Sequence, residues 1–141
     1  MTTWLLDTNA VIALVTRRSE ALLRKVESCE PGALAVSSVV AHELYFGAYR
    51  SQRVDFNLET LRLLFTDLEI LDLEREDARA AGEIRAELAR RGTPVGPYDV
   101  LIAGQAMARG LPLVTNNTAE FERVAGLRLE DWTIYSGLPG E

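Results

Sequence analysis

Short apolar runs alternate with amphipathic stretches along the chain. Trp4–Leu6 reads as a buried strand and Asn9–Val15 as a short helix. Ser19–Cys29 carries Leu22, Leu23 and Val26 at helical spacing. Pro31-Gly32 turns the chain into a second strand at Leu34–Val36. Ser37 and Ser38 are natural N-caps for a helix reaching about Arg50. Leu58, Leu61, Leu64 and Phe65 predict a helix over Asn57–Phe65, followed by a strand at Glu69–Leu71. The longest helix spans Glu74–Arg91 and stops at Gly92 and Pro94. Another runs from Pro97 to Arg109 and closes on Gly110. Strands follow at Leu113–Thr115 and Leu127–Leu129. Alternating strands and helices predict an α/β fold with a parallel sheet covered on both faces.

In such sheets ligands gather beyond the carboxyl ends of the strands, which directs attention to four acidic positions. Asp7 follows the first strand, where an Asp also caps a helix. Glu43 lies beyond the first turn of its helix, so capping does not account for it. It shares an apolar stripe with Val39, Val40, Phe46 and Gly47 and therefore needs a cation or a hydrogen-bond partner, an arginine being the simplest. Asp99 is an early-turn residue after Pro97, favoured by the helix dipole, yet it points along the face of Ile102, Ala103 and Ala106. Gly96 and Gly104 permit close approach there. Thr115, Asn116, Asn117 and Glu120 follow the fourth strand, where Asn117 or Thr118 can cap a short helix. Carboxylates converging from separate segments repel one another unless a cation intervenes. An all-oxygen donor set without a His or Cys cluster favours Mg²⁺ or Mn²⁺ over zinc. His42 adjoins Glu43 but points about 100° away, toward the surface. A cation in such a nest fits phosphodiester hydrolysis, hence nuclease chemistry.

Composition changes this picture little. At 141 residues the chain suffices for one domain with a full core. Cys29, the one cysteine, rules out an internal disulfide and reads as a half-buried helix residue in a reducing compartment. No basic leader and no apolar run near the ~18 residues of a membrane span occur, so a cytoplasmic location is expected. The net charge of −6 argues against nucleic acid only until the acids are assigned to a cation, which reverses the local field.

"LLDTN", "SSVVAHELYFGA", "IRAELARRGTPVGPYDVLIAGQA" and "LVTNNTAEFERVAGLRLEDW" resemble, in order and over nearly the whole chain, the PIN-domain ribonuclease toxins of VapBC toxin–antitoxin systems. The resemblance implies a three-layer α/β/α sandwich on a five-stranded parallel sheet, a domain over residues 1–134 and a short tail over 135–141. It implies a Mg²⁺- or Mn²⁺-dependent endoribonuclease, with initiator tRNA cut in the anticodon stem-loop as its substrate. A VapB-type antitoxin would block the site, promoter DNA would be bound only through that antitoxin, and the toxin would form a homodimer. The family's metal ligands carry over to Asp7, Glu43 and Asp99. Many PIN domains have a fourth acid where this chain has Asn117, and Glu120 is the candidate replacement. Thr8, Asn9, Thr115 and Asn117 are the expected polar support around the acids.

Competing readings stay on the table. A dehalogenase-like phosphatase wants D-x-D where the chain has Asp7-Thr8-Asn9, and a later lysine, whereas Lys25 comes early. A phospho-receiver domain also needs a late lysine. A catalytically weak PIN domain acting as a binding module is the reading that Asn117 leaves open. Arg50 and Arg85 are candidate RNA or antitoxin contacts. Ala78, Ala81, Gly82, Ala86 and Ala89 form a small-residue face expected to pack on the sheet, with a dimer or antitoxin contact as the alternative.

Overall fold

Each apolar run becomes a strand too short to stand alone, and parallel pairing supplies the rest. The computed structural model describes residues 1–134; the tail expected over 135–141 lies outside the described residues. Strands β1 (Trp4–Leu6), β2 (Leu34–Ser37), β3 (Glu69–Leu71), β4 (Leu113–Val114) and β5 (Leu129–Glu130) form one parallel sheet in the order β3-β2-β1-β4-β5. Leu6 registers with Val36 on one side and with Val114 on the other. Helices α1 (Thr8–Val15), α2 (Glu20–Glu27), α3 (Ser38–Arg50), α4 (Val54–Asp67), α5 (Arg75–Arg90), α6 (Pro97–Arg109) and α7 (Thr118–Phe121) connect the strands. Parallel strands require crossovers, and right-handed crossovers running first one way and then the other put helices on both faces. The result is the expected α/β/α sandwich.

The core is the doubly covered centre of the sheet. Leu5, Leu6, Ala35, Val36, Leu113 and Val114 are buried together with Val11, Val40, Ile102 and Phe121. Edge strand β3 is exposed at Glu69 and Ile70. The strand order reverses at β1, so β1 and β4 diverge from a crevice at their carboxyl ends. Asp7 and Thr115 stand at that switch point.

Several expectations shift. The α4 helix extends from Val54 to Asp67, beyond the predicted Asn57–Phe65; none of the residues it adds, Val54, Asp55, Phe56, Thr66 and Asp67, is buried, so the apolar stripe did not mark them. The predicted Leu127–Leu129 strand is displaced to Leu129–Glu130. Gly126, at φ +82°, and the Leu127 N–H donating to Val124 O complete a turn first. Phe46, placed by its spacing on the buried stripe with Glu43, is 56% exposed; Val40, Ala41 and Ala48 are the buried residues of α3. The small-residue helix α5 packs on α6 rather than on the sheet. A Cβ at Gly104 of α6 would stand 2.6 Å from the backbone of Ala81, so glycine there is what lets the two helices touch. Of the five small residues singled out on α5, only Ala81 is buried.

A buried ion pair fastens the α5–α6 seam at one end. Asp77 is 2% exposed, receives Arg109 at 2.9 Å and completes a capping box with Glu74. Burial opposes its charge, but the Arg109 guanidinium, the Glu74 N–H and Gln105 together hold its carboxyl below the usual range. Gln105, fully buried, donates to the carbonyls of Leu71 and Asp72. This network ties the β3–α5 loop to α6.

Candidate active site

Four carboxylates meet beyond the carboxyl ends of β1 and β4. Asp7 ends β1 in extended backbone and caps α1, its Oδ1 accepting from Ala10 N–H at 2.8 Å. Its Oδ2 accepts from the Thr115 hydroxyl at 2.5 Å. That hydroxyl in turn accepts from the Asn117 N–H at 2.9 Å. Glu43, on α3, accepts from the Thr8 hydroxyl at 2.9 Å, which is the hydrogen-bond partner that the sequence required as one alternative to a cation; no arginine pairs with it among the described residues. Asp99 lies in the first turn of α6. Glu120, on α7, accepts from Gly96 N–H at 2.8 Å and from Asn117 Nδ2 at 3.0 Å. Asn117 therefore supports two acids at once, through its backbone to Asp7 and through its side chain to Glu120. It stands at the N-cap of α7 but makes no side-chain cap there.

The structure thus brings together Asp7, Glu43, Asp99 and Glu120 with Thr8, Thr115 and Asn117. Asn9 is different. Its backbone N–H helps hold Asp7, but its side chain is exposed. The sequence reading missed the Gly96 N–H as the donor to Glu120. The signal was present, because a glycine ahead of Pro97 is an N-cap whose amide is free. A Cβ there would lie 3.5 Å from Asp99 Oδ2 and 3.6 Å from Glu120 Oε1, in the space the two carboxylates share.

The electrostatics are those of crowded negative charge, relieved at Glu120 alone by the more distant Arg123. Burial raises Asp7 to about 6, opposed by Thr115 and Ala10 and reinforced by Glu43. Burial, then the charge of Glu120, raises Asp99 to about 7, with Asp7 and Glu43 adding to it. Glu120 is held low, first by the Gly96 N–H. Near neutrality Asp99 is thus only partly ionised, while Glu120 is ionised. None of the ion pairs among the described residues involves these four acids. No three acids stand as a closed ligand set among the described residues, since Asp7, Glu43 and Glu120 are each drawn to protein donors. Each carboxylate oxygen that accepts one bond retains a lone pair. Oxygen donors, excess charge and raised carboxyls together fit a hard divalent cation.

The sign of the pH effect follows. A carboxyl raised on folding is ionised more readily in the unfolded chain, so stability is lost as pH climbs from about 4 through the folded values of about 6 and 7. In chelator, the melting temperature of the wild-type protein is expected to fall between pH 5 and 7.5. Asp99→Asn should flatten that fall and Mn²⁺ should oppose it; identical pH profiles for wild type and Asp99→Asn would refute the account.

A cavity of about 580 Å³ lies elsewhere, lined by Leu14, Leu23, Leu34, Leu64 and Leu68, and includes none of the four acids.

Comparison with known proteins accords with this geometry. The chain matches the PIN domain over residues 4–127. It is 45% identical to the tRNA(fMet)-specific endonuclease VapC of Shigella flexneri over 94% of this chain and 100% of that protein. It superposes on a chain of the DNA-bound VapBC structure from Salmonella typhimurium with a TM-score of 0.89, at 43% identity over 94% of this chain and 99% of that one. With VapBC2 of Rickettsia felis, bound to a DNA fragment from their promoter, the TM-score is 0.87 at 32% identity, over 93% and 99% of the two chains.

Proposed function

This chain belongs to the PIN-domain family and, within it, to the VapC proteins, and from that premise we propose that it is the toxin of a VapBC-type pair, an endoribonuclease using Mg²⁺ or Mn²⁺. The observation that supports this most is the set of four converging acids, none of them in an ion pair among the described residues, at the switch point of the sheet. Asp7, Glu43 and Asp99 would hold the cation. When bound, it supplies charge neutralisation at the phosphodiester and makes water a better nucleophile.

The protein's own contribution is to keep that nest fixed. The Asn117–Thr115–Asp7 relay and the Ala10 N–H lock Asp7 in one rotamer. Thr8 orients Glu43. Glu120, ionised and tethered by Gly96 and Asn117, would orient the attacking water by accepting its hydrogen bond. Asn117, in place of the acid many PIN domains carry, orients Glu120 instead of adding charge. In-line hydrolysis would leave a 5′-phosphate and a 3′-hydroxyl.

Initiator tRNA is the proposed substrate, on the strength of the Shigella relative's name, and the family resemblance puts the proposed cut in its anticodon stem-loop. A VapB-type antitoxin is the proposed inhibitor, promoter DNA being bound only through it, and the toxin is proposed to form a homodimer. No described helix is long and apolar enough to cross a membrane; a cytoplasmic site of action is part of the proposal. The test is incubation of the purified protein with initiator tRNA in Mn²⁺ and in chelator, with sequencing of the RNA ends. Cleavage in the anticodon stem-loop that chelator abolishes is expected. Intact tRNA in Mn²⁺, or cleavage indifferent to chelator, would overturn the reading.

A further inference from the structure

One feature beside the acids remains without a role: an aromatic lip that opens into a hollow. Tyr98 immediately precedes Asp99, and His42 immediately precedes Glu43. Their rings meet at 5.2 Å between centroids, inclined by 62°, and so bridge α6 and α3 along the rim of the acidic cluster. Tyr98 nevertheless remains 48% exposed. Away from His42, Tyr98 borders an open hollow of about 340 Å³ between α5 and α6, with Ala78, Gly82, Arg85 and Pro97 among its lining. The seam continues past Arg85 and Pro97 into a second hollow of about 410 Å³.

We propose that the Tyr98 hollow receives an unpaired base of the RNA substrate next to the scissile phosphate, stacked on Tyr98, with Arg85 gripping the following phosphate. The inference rests on the ribonuclease reading and deepens it. Its physical grounds are three. The hollow is of small-ligand size. Its one aromatic wall is exposed, and its lining residues Pro97 and Tyr98 follow Gly96, where an added Cβ would lie 3.5 Å from Asp99 Oδ2 and 3.6 Å from Glu120 Oε1, so a base stacked there lies within a nucleotide's reach of the carboxylates. The basic group at its rim, Arg85, makes no ion pair among the described residues and offers a planar fork that suits phosphate. Stacking of this kind requires a base free of its helix, so single-stranded loops and bulges are the RNA elements admitted. A Cβ at Gly82, one of the lining residues, meets nothing within 4 Å, so a larger side chain can start from this position into the hollow.

The test measures binding, in an Asp7→Asn background that does not cut, of a fluorescein-labelled anticodon stem-loop of initiator tRNA by anisotropy. Tyr98→Ala and Gly82→Leu are each expected to weaken binding about tenfold, the scale of one lost base–aromatic stack. Tyr98→Phe should restore affinity to within about twofold of the parent, because the ring rather than the hydroxyl does the stacking. Among stem-loops with single abasic loop positions, one should lose the same factor and become indifferent to Tyr98→Ala, which a merely structural role for Tyr98 would not produce. Parent-like binding by both Tyr98→Ala and Gly82→Leu overturns the proposal. So does a change of molecular mass by light scattering without loss of RNA affinity, which would make the hollow a contact between copies. Mn²⁺-dependent cleavage of the same stem-loop by the wild-type chain, run in parallel, separates the outcomes. Cleavage with insensitive variants removes the stacking site alone, whereas absence of both cleavage and binding removes the ribonuclease reading and this inference with it.

Discussion

Replacing Asp7 with asparagine is expected to lower RNA cleavage by at least about 10³-fold, the loss of roughly 4 kcal/mol of transition-state stabilisation. The substitution keeps the shape of the side chain and its Oδ1, so the bond from Ala10 N–H that starts α1 survives. It removes a buried charge that is held at about 6 in the folded protein and has no basic partner. Melting temperature in chelator at pH 7.5 should therefore stay level or rise while activity disappears. The stabilisation that Mn²⁺ gives the wild-type protein should shrink, because one of the three proposed ligands is now neutral. Folding and function are thus expected to move in opposite directions at one residue. A purified Asp7→Asn protein that cuts initiator tRNA at the wild-type rate would refute the assignment of Asp7.

Arg109→Met is expected to do the reverse, costing stability without touching the acids. It leaves Asp77, 3% exposed at its side chain, without its cation. Breaking a buried pair on one side costs about 3–5 kcal/mol, and the lower end applies because the Arg109 side chain is 25% exposed. In a chain of this length that is a melting temperature lower by about 10 °C. The guanidinium bond to Asp72 O is lost as well, loosening the β3–α5 loop. Acid should lessen the damage, since a protonated Asp77 no longer carries an unpaired charge. Restoring neutrality with Asp77→Asn in the Arg109→Met background should recover part of the loss. A single mutant that melts within about 1 °C of wild type would show the pair to be dispensable.

The two predictions bear on residues of opposite visibility in the sequence. Asp7, Glu43 and Asp99 could be singled out because each sat where polarity was out of place, at a strand end or on an apolar helix face. Asp77 and Arg109 gave no such sign. They lie 32 positions apart; Asp77 sits on a helix rich in charged residues, and Arg109 is the basic last-turn residue usual at a helix end, so nothing in their local patterns marks Asp77 as the buried acid of α5 or Arg109 as its partner. Glu43 shows the limit from the other direction. Its carboxylate needed a cation or a hydrogen-bond partner, and the pattern could not say which residue would provide the bond; Thr8 does. A short hydroxyl at the start of α1 reaches Glu43 only because α1 and α3 are packed together.

Boundaries divided in the same way. Gly110 at φ +65° closed α6 where a glycine after a basic last turn predicts, and Pro97 began it. The β5 strand slipped because Leu127 and Leu129, on either side of Arg128, can each satisfy a short apolar pattern, and pairing with Leu113 and Val114 selects Leu129 and Glu130. The placement of α5 was decided by Gly104, whose missing Cβ admits Ala81. A small-residue face states that something comes close but not what.

By itself the sequence determined the alternation of strands and helices, the parallel sheet, and the acids at strand ends, because hydrophobic period, caps and turn residues act over a few neighbouring positions. Only the tertiary structure decided that the strand order reverses at β1, that Asn117 serves two acids rather than capping α7, and that Asp99 and Glu120 divide one proton's worth of charge between them. Those outcomes depend on distances between residues far apart in the chain and on how much water is excluded between them, and packing alone sets both.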